Sequence, residues 1–395
     1  MRKKIPNFEE LKKMKFKRCK ICGAPLTVAK LREWKSDGLI TNIMQIAIWR
    51  VRTTNIFLME VDDCENLFRR LKERIGEKPI QRIFEGAKAH SCETIYQCYP
   101  KIMQPFFRLM MKLGEPTRIV NFSFVKSMPI AGNGIYRVLE YVLGKKMVVE
   151  ALKETIFDVP LVSGDMLCLF YLAERLNGAK KDIPLKVSWK EKAESVVFTI
   201  EYGRESKGVQ EYLPIRKFNF LPGNRTFERC PVCGVPKAIS ENYEWVDEKW
   251  WIIEKKTGKR IFSTCFEAIN RVTDALAQEL GENLYQMIME IEKDYRKKYF
   301  SQHPDYKNLK NDEESYREKL EVFPQRGMGN PVRIEKQKKN LLVRIDNIYS
   351  SPLAAGWILS LYEHIEKREA EIEYTPNLEA GEKGFAIFKV SPKIF

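Results

Sequence analysis

Histidine is scarce. The 395 residues hold three, His90, His303 and His364, and none stands in a nucleophile–base motif. His364, in YEHIEKRE, is expected on a solvated helix face. Long apolar runs are missing too. No stretch of about 18 apolar residues occurs, so no membrane-spanning helix is expected. Gly/Ser and Gln/Asn tracts are absent, which argues against disorder. The Gly-x-Gly pairs at Gly132–Gly134 and Gly327–Gly329 lack the third glycine of a dinucleotide fingerprint and the Gly-Lys-Ser/Thr of a P-loop. They are read as turns. The first residues, MRKKIPNFEELKKMKF, contain no apolar signal-peptide core. Nine cysteines without such a signal are expected to be intracellular thiols or metal ligands, which places the protein in the cytoplasm.

What remains is a globular composition: 44% hydrophobic, 31% charged and 11% aromatic, enough chain for two domains with cores. The formal charge is +15, with 53 acids among the bases. Such a balance suits an anionic partner, nucleic acid or an acidic surface. The plainer reading, Lys and Arg covering helices, is preferred because the bases are interspersed with acids.

The chain repeats itself. RCKICGAP (18–25) returns as RCPVCGVP (229–236), an offset of 230 − 19 = 211. Glu33–Trp34 then meets Glu244–Trp245. NIFLMEVDDCENLFRRLKERIGE (55–77) meets RIFSTCFEAINRVTDALAQELGE (260–282) at 282 − 77 = 205. GNG meets GMG, KMVVEA meets NLLVRI, VPLVSG meets SPLAAG, and VVFTIEY meets AIFKVSP, all in the same order. The expected organisation is a first repeat over 1–203, a linker over 204–226 and a second repeat over 227–395. Short β-branched runs read as strands and the apolar runs after Pro-Leu-x-x-Gly as helices. Each repeat is thus an α+β unit of helices and antiparallel strands.

Each Cys-x-x-Cys-Gly turn supplies half of a tetrahedral zinc site. Two turns in a tandem repeat, brought together on a pseudo-two-fold, would give one four-thiolate site from Cys19, Cys22, Cys230 and Cys233. Two local sites are the alternative, drawing on His90, Cys92 and Cys98 in the first repeat and on His303 in the second. Thiols without metal are the third reading. A four-thiolate centre has no open position and is therefore structural. Trp34, Trp245, Trp250 and Trp251 are expected to pack in the core.

The stretch GMG…NLLVRIDNIYSSPLAAGWILSLYEHI…AEIEYTPNLEAGEKGFAIFKV (327–390) resembles the 4-vinyl reductase domain, and residues 132–202 look like a divergent copy. The resemblance implies a fold shared with vesicle-tethering TRAPP subunits and haem-based NO-sensing domains: helices on a curved antiparallel sheet around an apolar cavity. It implies binding of a small apolar ligand (hydrocarbon, aromatic or acyl) by a regulatory or accessory protein, and favours a non-enzymatic role. The cysteine or histidine pair that many members carry near the last helix and strand is missing here. The helix faces expected against a ligand carry Met166, Leu169 and Phe170 in the first repeat and Ala355, Trp357, Leu361 and Ile365 in the second. A nucleic-acid-associated zinc-ribbon regulator and an enzyme of aromatic or acyl metabolism are the alternatives. The protein is expected as a pseudo-dimeric monomer or a homo-oligomer.

Overall fold

The halves of the chain meet edge to edge in one sheet. In the computed structural model, which describes residues 5–46, 49–77, 93, 96–97, 103–180, 185–203, 218–281 and 283–393, the first half contributes β1 (Arg32–Trp34), β2 (Ile40–Ile46) and β3 (Trp49–Glu60). The second contributes β8 (Tyr243–Val246), β9 (Trp251–Glu254) and β10 (Arg260–Cys265). All six pair antiparallel in the order β1-β2-β3-β10-β9-β8. At the seam Leu58 lies opposite Ser263, with Ile56 opposite Cys265 and Glu60 opposite Ile261. Since 263 − 58 = 205, Leu58 and Ser263 are each other's repeat equivalents, so a pseudo-two-fold passes between them.

Short helices precede these strands, α2 (Leu26–Leu31) and α7 (Lys237–Asn242); α1 (Phe8–Lys12) lies ahead of them. The amphipathic helices α3 (Val61–Ile75) and α8 (Phe266–Leu280) follow. Both stop at a glycine with positive φ, Gly76 and Gly281, as their sequences anticipate. Between the amphipathic helices and the later sheets lie α4 (Met103–Leu113) and α5 (Pro116–Ala131) in the first half. In the second half lie α9 (Asn283–Gln302), α10 (Glu313–Leu320) and α11 (Val322–Arg326).

Each half then builds a four-stranded antiparallel sheet with a helix in its middle. The first has β4 (Tyr136–Val142), β5 (Lys146–Leu152), α6 (Val159–Leu176), β6 (Leu185–Glu191) and β7 (Ser195–Tyr202). The second has β11 (Asn330–Gln337), β12 (Asn340–Asp346), α12 (Ser351–Glu366), β13 (Ala370–Tyr374), α13 (Asn377–Lys383) and β14 (Phe385–Pro392). Their strand orders, β4-β5-β7-β6 and β11-β12-β14-β13, match. The mixed α+β class and the repeat are therefore present in three dimensions.

The halves also exchange contacts. Trp250, with φ 54°, is fully buried in the first half's core, the cluster that also holds Val138 and Phe170. A Cβ on Gly132 would stand 2.5 Å from the carbonyl oxygen of Ile261, and one on Gly327 would stand 2.6 Å from that of Ile56. Both glycines have φ near 75°, so turn geometry and close approach together explain the Gly-x-Gly pairs. Ile56 and Ile261 are again repeat equivalents, so each half's Cys-bearing segment packs on the other half's four-stranded unit. Part of the expected linker joins in: Phe218 and Phe220 pack on Phe266, and Leu221 donates its amide to Asn347 Oδ1. Residues 204–217 lie outside the described residues. No described helix is long and apolar enough to cross a membrane.

Candidate metal centre

The two Cys turns fold alike because both carry the same bonds. The amides of Cys19 and Gly23 bond the carbonyls of Ala24 and Cys19; those of Cys230 and Gly234 bond Val235 and Cys230. Gly23 and Gly234 have positive φ and open space around them, which lets the turn close. The turns are locked across the axis. Arg18 Nη2 donates to the Trp245 carbonyl and Arg229 Nη2 to the Trp34 carbonyl, both at 2.6 Å. Trp34 and Trp245 are themselves buried.

This brings the thiols together. Cys19 and Cys230 sulfurs are 3.7 Å apart, those of Cys22 and Cys233 are 3.4 Å apart, and all four lie within 4.8 Å of one another. Four thiolates at about 2.3 Å from a tetrahedral metal stand about 3.8 Å apart, so this set can hold one ion. The donors are unequal before any metal binds. Backbone amides of Cys22 and Ile21 lower the Cys19 thiol, and those of Cys233 and Val232 lower Cys230 to about 6. Burial raises Cys22 and pushes Cys233 up to about 12. A cation offsets that cost by neutralising the thiolates.

His90, Cys92 and Cys98, the ligands of the alternative local site, lie outside the described residues. His303 caps a short turn, accepting the amide of Asp305 at Nδ1, and its ring packs on Tyr299. His364 is half-buried rather than solvated. Its Nε2 lies 2.8 Å from the Tyr306 carbonyl and its ring meets Phe300, because α12 is covered on that side.

The expected ligand residues separate by half. Ala355, Trp357, Leu361 and Ile365 are all buried on α12. A Cβ on Gly356 would meet the Met289 carbonyl at 2.5 Å, so α9 packs directly against this helix. Trp357 is packed between Arg296, 3.8 Å above its ring, Phe300 and Phe323. In the first half Met166 and Phe170 are buried toward the sheet, whereas Leu169 is only half-buried.

Sequence reading missed an ionic cluster at the seam. Glu60 is fully buried and accepts from Arg296 Nη1 at 3.0 Å, Arg326 Nη1 at 2.9 Å and Tyr295 Oη at 3.0 Å. Burial alone would raise its carboxyl, but Arg296, Arg326 and Lys259 hold it below the ordinary range. Arg296 also pairs with Asp63 and Glu292, and Arg326 with Glu254. Four carboxyl groups thus face three cations. Asp63 is raised, chiefly by burial and further by Glu292 and Glu60, against the pull of Arg296. Asp63 Oδ1 and Glu292 Oε2 are both buried with no hydrogen-bond partner among the described residues. Beside the cluster, between α3 and α9, lies a cleft of about 450 Å³ lined by Asp62, Arg70, Lys259, Tyr295, Lys298 and Tyr299 among others. None of the expected ligand residues lines it. The signal for the cluster was two arginines in otherwise apolar-spaced stretches, which sequence alone does not pair.

Comparison with protein-family models, with curated proteins and with solved structures returned no match to this chain.

Proposed function

We propose that the chain is a zinc-stapled, pseudo-dimeric binding protein whose ligand is small and apolar. Zinc fits four thiolates at tetrahedral spacing, and a closed four-thiolate shell serves structure. The ligand reading rests on the sequence resemblance and on one asymmetry. Helix α12 is buried along its length save half-exposed His364, while its counterpart α6 leaves Leu169 and Leu172 half-buried. Neighbouring α4 exposes Leu109, Met110 and Leu113. Those half-buried leucines and the exposed side chains of α4 are the apolar surface the first half offers to a ligand, beside the contact of Glu93 with Tyr171 and Arg175 of α6. The experiment is metal analysis with a thermal-melt panel of aromatic and acyl compounds on the full chain. Zinc at one per chain and a rise in melting temperature with some apolar compound are expected. No rise with any of them ends the ligand reading.

A further inference from the structure

The pseudo-symmetric metal centre is not symmetric in charge. Lys13, Lys15, Lys17 and Lys20 are all exposed, on the segment that leaves α1 and enters the first Cys turn. At the offset of 211 their equivalents are Asn224, Thr226, Glu228 and Pro231. From Lys17 onward the equivalence is structural: the amide of Leu26 bonds the Lys17 carbonyl and that of Lys237 bonds the Glu228 carbonyl, both at 2.8 Å. Lys13 and Lys15 follow helix α1, which has no counterpart before Glu228 among the described residues. The second turn reaches the same metal position without these lysines, so the fold does not require them. The arginines it does require, Arg18 and Arg229, are kept in both turns.

The four ammonium groups have no carboxylate partner among the described residues. The neighbouring acids are engaged elsewhere, Glu9 with Lys12 and Asp247 with Arg18. The segment is not helical over residues 14–17. Successive residues outside a helix advance by up to about 3.6 Å, so lysines two apart are separated by up to about 7 Å. That is comparable with the separation of neighbouring phosphates along a nucleic-acid strand. The amide of Phe16 bonds Asp247 Oδ2 and that of Leu26 bonds the Lys17 carbonyl, so the backbone of the row is held and loses little order on binding.

We propose that this strip binds the phosphate backbone of a nucleic acid, independently of the apolar-ligand reading above. Binding is electrostatic and carries little sequence preference, because lysines here meet phosphates and not base edges. An acidic membrane offers the same charge without regular spacing.

The test uses the zinc-loaded full chain and fluorescence anisotropy with labelled 20-nucleotide single-stranded RNA and a 20-base-pair DNA duplex, across a salt series. At least one probe should bind, with log K falling linearly against log salt. The combined Lys13→Gln, Lys15→Gln, Lys17→Gln and Lys20→Gln variant should bind at least about tenfold more weakly. Its salt slope should shrink by about 0.7–0.9 for each phosphate left without its lysine. Lys297→Gln, an exposed lysine on α9, should change neither. Zinc content and melting temperature show that each variant is folded; should the combined variant fail, the four single variants should each lower the slope by about one unit or less. The proposal is overturned if neither probe binds at low salt, or if folded variants keep the wild-type slope. Binding of phosphatidylserine vesicles but of neither oligonucleotide overturns it as well.

Discussion

The sulfurs of Cys22 and Cys233 stand 3.4 Å apart although 211 residues separate them in the chain. They are equivalent positions of a repeat, so each half supplies half a site and neither is complete alone. One metal per chain is the expected stoichiometry. Cys22→Ser and Cys233→Ser should each abolish the same single zinc, read by elemental analysis. Structural zinc contributes on the order of 10 kcal/mol in small sites, so either change should lower the melting temperature by more than about 10 °C. A variant that kept half of two zincs would mean two local sites.

Gly132 and Gly327 report on the exchanged contacts between halves. Each has positive φ and lies against the carbonyl of the opposite half's Ile261 or Ile56. Gly132→Ala and Gly327→Ala should each cost at least about 1–2 kcal/mol from conformation alone, with a further cost from the clash. Equilibrium denaturation should give similar losses for the two. A neutral result at either position would show that the halves do not depend on this approach.

Asp63 and Glu60 set opposite pH limits. The carboxyl of Glu60 is lowered in the fold, so its contribution is present above the ordinary 4.5 and is lost as pH falls below it. That of Asp63 is raised above 3.8, so the proton-bound form favours folding. Its contribution is present at low pH and declines as pH rises from 3.8 through the folded value. Asp63→Asn replaces a carboxyl that favours its proton-bound form with an amide that carries no charge at any pH. It should raise the melting temperature most at alkaline pH and flatten that limb of the stability curve. Equal effects at about pH 5 and about pH 9 would refute the raised Asp63 carboxyl.

Bulk distinguishes the two helices that follow Pro-Leu-x-x-Gly. Ala355→Phe should destabilise by about 1–3 kcal/mol, because Ala355 is fully buried where α12 packs. Leu169→Ala should leave folding nearly unchanged. It should weaken an apolar probe that stabilises the wild type by about fivefold, close to 1 kcal/mol. Calorimetric titration checks the second, and wild-type affinity in Leu169→Ala would move the ligand off α6.

The repeat, the paired Cys turns, the glycine stops of α3 and α8, and the strand and helix character of the later segments were all legible in the residues. These are local properties: spacing of apolar residues, φ at a glycine, two thiols on one turn. The shared four-thiolate site was also the economical solution at that level, since each repeat carries only two of the four donors. Packing between the halves settled the rest. That Glu60 meets Arg296 and Arg326 depends on α9 and α11 of one half packing over β3 of the other, and no local pattern encodes that neighbour. That α12 is buried while one stripe of α6 is only half-buried depends on tertiary packing, although both read as the same apolar run. The four lysines before and within the first Cys turn looked like ordinary surface charge. Only the pseudo-two-fold, which sets them against Asn224, Thr226, Glu228 and Pro231 around one metal position, separates the charge the fold needs from the charge it does not.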